Sequence, residues 1–256
     1  MFGFFSNKRN PPCPLDHESR LWMEQAFLWL TTQFGEDTIR SKKVLTPSPQ
    51  DFSATYDGSH ESLNKTAEIV ASQMDININE IHLHTYDDSI KAFDGEMGHR
   101  IFSELDKTTE EQFAAGLYFD KNADGKYDIF IERQNLAEPE NLVAILAHEF
   151  SHIKLLGEKR LEENDEFLTD LTSVIFGLGI FNANSAFRFH QGFDGWGHRT
   201  MGYLKQQDWG YALALYAYFR DEKSPDWSKH LTKNVHSDFI KSEKFIYANQ
   251  DKVFVE

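Results

Sequence analysis

Only one cysteine, Cys13, occurs in 256 residues. It allows no internal disulfide and no cysteine-based zinc knuckle, and a lone thiol suits a reducing compartment, so a cytoplasmic address is expected. Long apolar runs are missing too. None approaches the 18 residues of a membrane span, and Met1 to Arg9 shows no apolar stretch of signal-peptide length after a basic start. Positive charge is in deficit, with 26 Lys+Arg against 41 Asp+Glu and a formal net charge of -15. Such a surface repels phosphate backbones and anionic lipids, which excludes nucleic acid and membrane as expected partners. There is no Gly-x-Ser-x-Gly elbow and no Walker or Rossmann glycine pattern, so serine-hydrolase and nucleotide-binding readings have no anchor. Internal repeats and low-complexity stretches are also absent. Cys13, flanked by Pro12 and Pro14, has no assignable basic partner and reads as structural.

What is present suffices for a core: 40% of residues are apolar and 14% aromatic, spread along the chain. Asp16 can cap an amphipathic helix carrying Leu21, Trp22, Phe27, Leu28, Leu30 and Phe34, which Gly35 ends. Residues 41–59, with Pro47, Pro49 and Gly58, form a long connection or lid candidate, followed by a helix over about 60–74. Ile81, Leu83 and Thr85 alternate as in a strand, placing His82 and His84 together on its other face. A His-x-His pair binds metal when a third ligand is near, and is otherwise a half-buried pair. Gly116 to Phe119 and Tyr127 to Glu132 flank the turn-rich Asp120 to Gly125, which predicts a β-hairpin. That bridge begins like an EF-hand loop at Asp120, Asn122, Asp124, Gly125 and Asp128, but Ile131 stands where a bidentate Glu belongs, which favours a plain polar turn over a calcium site. Further helices are expected over about 165–181, between 200 and 221, and near 237–250. Mixed elements followed by a mostly helical C-terminal half make the class α+β.

After Pro139, Leu142 to Ala147 lead into His148-Glu149-Phe150-Ser151-His152, then Ile153, Leu155, Leu156 and a stop at Gly157. A helix this apolar all round is buried, so two histidines and a glutamate within it need partners. Residues four apart share a helix face, so both imidazoles address one point with Glu149 beside it. Zinc takes neutral imidazoles at about 2.0–2.1 Å and lowers the pKa of a coordinated water toward about 7, where an adjacent carboxylate can accept its proton. The next helix offers Glu166 and Asp170, again four apart. The helix dipole explains Glu166, but Asp170 lies a turn further in, among Leu168, Leu171, Val174 and Ile175. A carboxylate there needs a partner, and a ligand histidine is the natural one.

The pattern His148-Glu149-x-x-His152 followed by Glu166-x-x-x-Asp170 resembles the gluzincin branch of the zincin metallopeptidases. The resemblance covers about 30 residues. It implies zinc held by His148, His152 and Glu166, Glu149 as general base and proton shuttle, and Asp170 behind a ligand histidine. Glu163, Asp165 or Asp170 could replace Glu166 as third ligand. It also implies a zincin-like fold in which an edge strand just before the active helix pairs with an extended peptide substrate, a part for which Tyr127 to Glu132 is well placed. Lys154 departs from the family pattern, which prefers an apolar residue there. A downstream donor for an oxyanion is expected, with His190, His198, Arg199, Tyr203 and Tyr211 available and His198 and Tyr203 preferred. The glycine-rich run 192–199 reads equally as a loop near a site or a plain turn.

The expected organisation is an N-terminal helical region (1–75) packed on a zincin-like metal-binding catalytic core (76–256). The expected function is a cytoplasmic zinc metallopeptidase acting on peptide or protein substrates. A catalytically inactive zincin-like binding protein and a hydrolase of non-peptide amides are the alternatives.

Overall fold

The computed structural model describes residues 10–52, 55–86, 90–94, 100–104, 116–188 and 204–254. Helix α1 spans His17–Phe34 and begins where the Asp16 carboxylate accepts the Ser19 amide. It ends at Gly35, whose φ of 86° suits glycine. After it come α2 (Glu36–Ser41) and α3 (His60–Gln73), the latter capped by Ser59. The strands are β1 (Ile81–Tyr86), β2 (Ile90–Asp94), β3 (Arg100–Glu104), β4 (Gly116–Phe119) and β5 (Tyr127–Glu132). Helices α4 (Pro139–His152), α5 (Glu166–Ile175), α6 (Gly179–Arg188), α7 (Gln206–Phe219) and α8 (Lys233–Ala248) complete the fold. The class is α+β. No described helix is long and apolar enough to cross a membrane.

β4 and β5 form the expected antiparallel hairpin, and β1 adds to β5 in parallel, giving the order β1-β5-β4. The connecting turn is a plain polar one: Asn122 Oδ1 accepts the amides of Asp124 and Lys126, and its Nδ2 donates to Asp128. Tyr127 to Glu132 is therefore the central strand and not the expected edge. Tyr127, Ile129 and Ile131 are all buried, and a strand that deep needs both rows of backbone groups paired. Among the described residues the edges of this sheet are β1 and β4. A separate hairpin, β2 with β3, has backbone pairing from Ile90 with Glu104 to Asp94 with Arg100.

One helix expected over 165–181 is in fact two. At Gly177 the backbone turns to φ +77° and its carbonyl accepts the Leu45 amide. A Cβ there would lie 2.3 Å from the Lys43 carbonyl oxygen, so the break is a close approach between two backbones. Gly177→Ala is expected to lower the unfolding free energy by about 2–4 kcal/mol, combining the left-handed backbone with the overlap. Urea unfolding with an unchanged m-value checks it. The final helix also starts earlier than expected, at Lys233.

α4 is the buried axis of the fold. It packs against α3, α5, α6 and β4, and Leu142, Ala144, Leu146, Ala147 and Phe150 are fully enclosed. The N-terminal helices share this core: α1 contacts α5 and α7. Buried Glu24 ties α1 to the C-terminal half, accepting from Arg20, from the Tyr211 hydroxyl at 2.6 Å and from the Phe254 amide. The supposed lid does not lie over the histidines. Part of it, from Pro47 to Gly58, lines a pocket of about 570 Å³ together with Leu136, Pro139, Val143 and Phe181. Val143 and His148 are five residues apart, which puts that pocket on another face of α4.

Candidate metal centre

Leu142 to Ala147 fill the core around α4, and this burial fixes the rotation of the helix. His148, Glu149 and His152 then fall toward α5 and β4. Just past His152 the helix widens into a π-wound turn, Ile153–Gly157, a local rewinding often found at functional sites. Gly157 closes it where a Cβ would meet the Tyr127 ring at 2.8 Å. Lys154, the departure from the family pattern, is buried with its ammonium paired to Glu158 and set over the rings of Phe34 and Phe176. The long stem packs as an apolar residue would while the charge finds a partner.

α5 brings its carboxylates to the same place. Asp165 is spent as the N-cap, accepting the Leu168 amide, and Glu163 is exposed. Glu166 in the first turn points between the two imidazoles: its Oε2 lies 3.1 Å from His148 Nε2 and 3.7 Å from His152 Nε2. That oxygen is buried and makes no contact of hydrogen-bond geometry among the described residues. Asp170, one turn on and wholly buried, accepts His148 Nδ1 at 3.0 Å on one oxygen and the Leu204 amide at 3.1 Å on the other. With Nδ1 donating to a carboxylate, Nε2 faces Glu166, carrying a proton when the imidazole is charged and offering a lone pair to a metal when it is neutral.

Three donor atoms thus converge: His148 Nε2, His152 Nε2 and Glu166 Oε2. A tetrahedral zinc at about 2.0–2.1 Å sets its donors roughly 3.3 Å apart, and separations of 3.1 and 3.7 Å bracket that value. Two imidazoles and a carboxylate form a donor set of borderline softness, which suits zinc. Among the described residues Oε2 has the two imidazole nitrogens as neighbours but no contact of hydrogen-bond geometry, an arrangement that a metal ion between the three donors would satisfy.

The electrostatics favour a cation. Burial opposes charge on His148, yet Asp170 and Glu166 outweigh it and raise the imidazole well above its usual pKa. Burial likewise works against ionisation of Glu166, and the two imidazoles overcome it, so its pKa falls. His152 is depressed, first by burial and then by charge on His148. Comparison of the chain with protein-family models, with curated proteins and with solved structures finds no match. The site rests on its own geometry.

Glu149 stands beside this point, 5% exposed and without a hydrogen-bond partner among the described residues. Burial pushes its carboxyl up to about 7, with His148 lowering and Glu166 raising it. β4 runs along this side of the helix. A Cβ on Gly116 would lie 2.7 Å from Glu149 Oε1, so only a glycine lets the strand come this near. Tyr118, two residues on, lays its ring against His152 with centroids 5.7 Å apart and an interplanar angle of 25°. That contact helps orient an imidazole whose Nδ1 has no hydrogen-bond partner. Sequence reasoning passed over Gly116, Tyr118 and the Leu204 amide. The period-two alternation that puts Gly116 and Tyr118 on one face was the available signal for the first two.

Of the other expected site residues, His190, His198, Arg199 and Tyr203, together with the run 192–199, lie outside the described residues. Tyr211 is not at the site: it is fully buried and donates to Glu24.

Proposed function

We propose that this chain is a zinc-dependent hydrolase of the zincin type that cleaves peptide or amide bonds, with His148, His152 and Glu166 as metal ligands. One observation carries the reading: two histidines of a single buried helix and an unpartnered carboxylate oxygen of the next converge, with a buried free carboxylate alongside. A structural ion would need no Glu149, which has no hydrogen-bond partner among the described residues.

Zinc, when bound, supplies Lewis acidity that polarises a carbonyl and makes water a competent nucleophile near neutral pH. Glu149, with a carboxyl near 7, accepts a proton from water and returns it to the leaving nitrogen. Asp170 holds His148 in the Nδ1-H tautomer so that Nε2 faces the site. β4 presents an edge with no other strand paired to it among the described residues, beside Glu149 and His152. An extended substrate would add to β4, and not to β5 as the sequence suggested. A peptide or protein is therefore the proposed substrate. The lone cysteine and the net charge of -15 fit a cytoplasmic enzyme.

Purified protein is expected to carry zinc and to cleave members of a peptide library. The activity should fall to background with a chelator and return on zinc addition. Zinc-loaded, folded protein that hydrolyses no peptide or amide in such a library would overturn the enzyme reading.

A further inference from the structure

We propose that His82, His84 and Asp128 form a second metal site, on the face of the sheet turned away from α4, for a divalent ion of borderline softness, zinc foremost. It shares no residue with the α4 centre and does not rest on the hydrolase reading.

The strand register builds it. β1 and β5 run parallel with Ile81 opposite Tyr127, Leu83 opposite Ile129 and Thr85 opposite Ile131, and these side chains fill the helix-facing side. The alternate residues emerge on the other face, where His82 stands opposite Asp128 and His84 opposite Phe130. The sequence reading of His82 and His84 as an ordinary pair turned on the lack of a third ligand. Parallel pairing supplies it from 44 residues further along the chain.

The donors are oriented. His84 Nε2 lies 2.8 Å and His82 Nδ1 3.6 Å from the same atom, Asp128 Oδ1, and all three donor atoms fall within 4.8 Å of one another. The roughly 3.3 Å donor spacing of a tetrahedral zinc site lies between those two separations. The His84 ring is stacked on Phe130 with centroids 4.5 Å apart and an interplanar angle of 19°. The second oxygen of Asp128 accepts Asn122 Nδ2 at 3.0 Å, and Asn122 is itself fixed by the hairpin turn. These supports orient the ligands before any ion arrives. The His84–Asp128 hydrogen bond accounts for two of the residues, but not for a second imidazole turned on the same oxygen.

Two nitrogen donors rule against calcium and magnesium, which require oxygen. Both imidazoles are partly open, with 39% and 42% of their side chains exposed, so an ion has access and three protein ligands leave a position for solvent. An ion here would clamp β1 to β5.

The test uses full-length protein stripped with a chelator and titrated with zinc, with bound equivalents measured. Wild type is expected to bind two equivalents, His84→Ala one, and His148→Ala one. Zinc should raise the thermal midpoint of His148→Ala, and that rise should vanish in the His84→Ala/His148→Ala double variant. Asp128→Asn, which keeps the side-chain shape, provides the same reading if His84→Ala folds poorly by circular dichroism. The proposal is overturned if His148→Ala binds no zinc, or if folded His84→Ala and Asp128→Asn bind as many equivalents as wild type. Zinc kept by His148→Ala and lost by His84→Ala, with one equivalent in wild type, would instead overturn the α4 centre and leave this site standing.

Discussion

Glu149→Gln is expected to retain zinc at the α4 centre and to lose hydrolysis by about 10²–10⁴-fold, the usual contribution of a positioned acid–base group. The converging donors are His148, His152 and Glu166, so removing the charge of Glu149 takes away no ligand. Glutamine has the same volume and fits the space beside Gly116. The fold should tolerate it, since burial already holds the native carboxyl near 7 and so largely protonated below that pH. What the amide lacks is the capacity to take up and release a proton. The measurement pairs metal content with turnover of a peptide cleaved by the wild type. Full activity in the variant would remove Glu149 from the chemistry. Loss of zinc along with activity would make it a ligand.

Asp170→Ala is expected to act on metal affinity and stability together. Its carboxylate satisfies two buried donors, His148 Nδ1 and the Leu204 amide, and is itself fully enclosed. Truncation strands both, at about 1–3 kcal/mol each, so unfolding free energy should drop by about 2–6 kcal/mol. Zinc affinity should weaken by about 10–100-fold, because His148 loses the group that fixes its tautomer and ring orientation. Asp170→Asn can still accept a hydrogen bond and should fall between wild type and alanine on both scales. Competition against a chromophoric chelator, well below the unfolding transition, separates the two effects. Wild-type zinc affinity in a folded Asp170→Ala protein would refute the positioning role.

The sequence reading and the structure coincide where one local pattern decides the outcome. The Asp16 cap and Gly35 stop delimit α1, alternation marks β1, and the turn-rich bridge between two strand-like runs marks β4 and β5. The spacing of four in His148/His152 and Glu166/Asp170 holds because each pair rides on one helix, whose period is fixed by backbone geometry. Asp170 could be given a histidine partner in advance because a carboxylate among Leu168, Leu171 and Val174 has no cheaper solution. Features that depend on distant chain segments were not legible. The break at Gly177 comes from the Lys43 backbone, far back in the chain. The central place of β5 comes from β1, which joins it across an interval holding another hairpin. The third group beside His82 and His84 was invisible for the same reason, since periodicity reports the face of a strand and not its neighbour.

Asp170 divides its two oxygens between the His148 imidazole and the Leu204 amide. One carboxylate thereby holds both His148 and the backbone just ahead of α7. By thermodynamic reciprocity, whatever tightens one hold biases the other. Filling of the proposed centre would therefore be linked to the seating of residue 204.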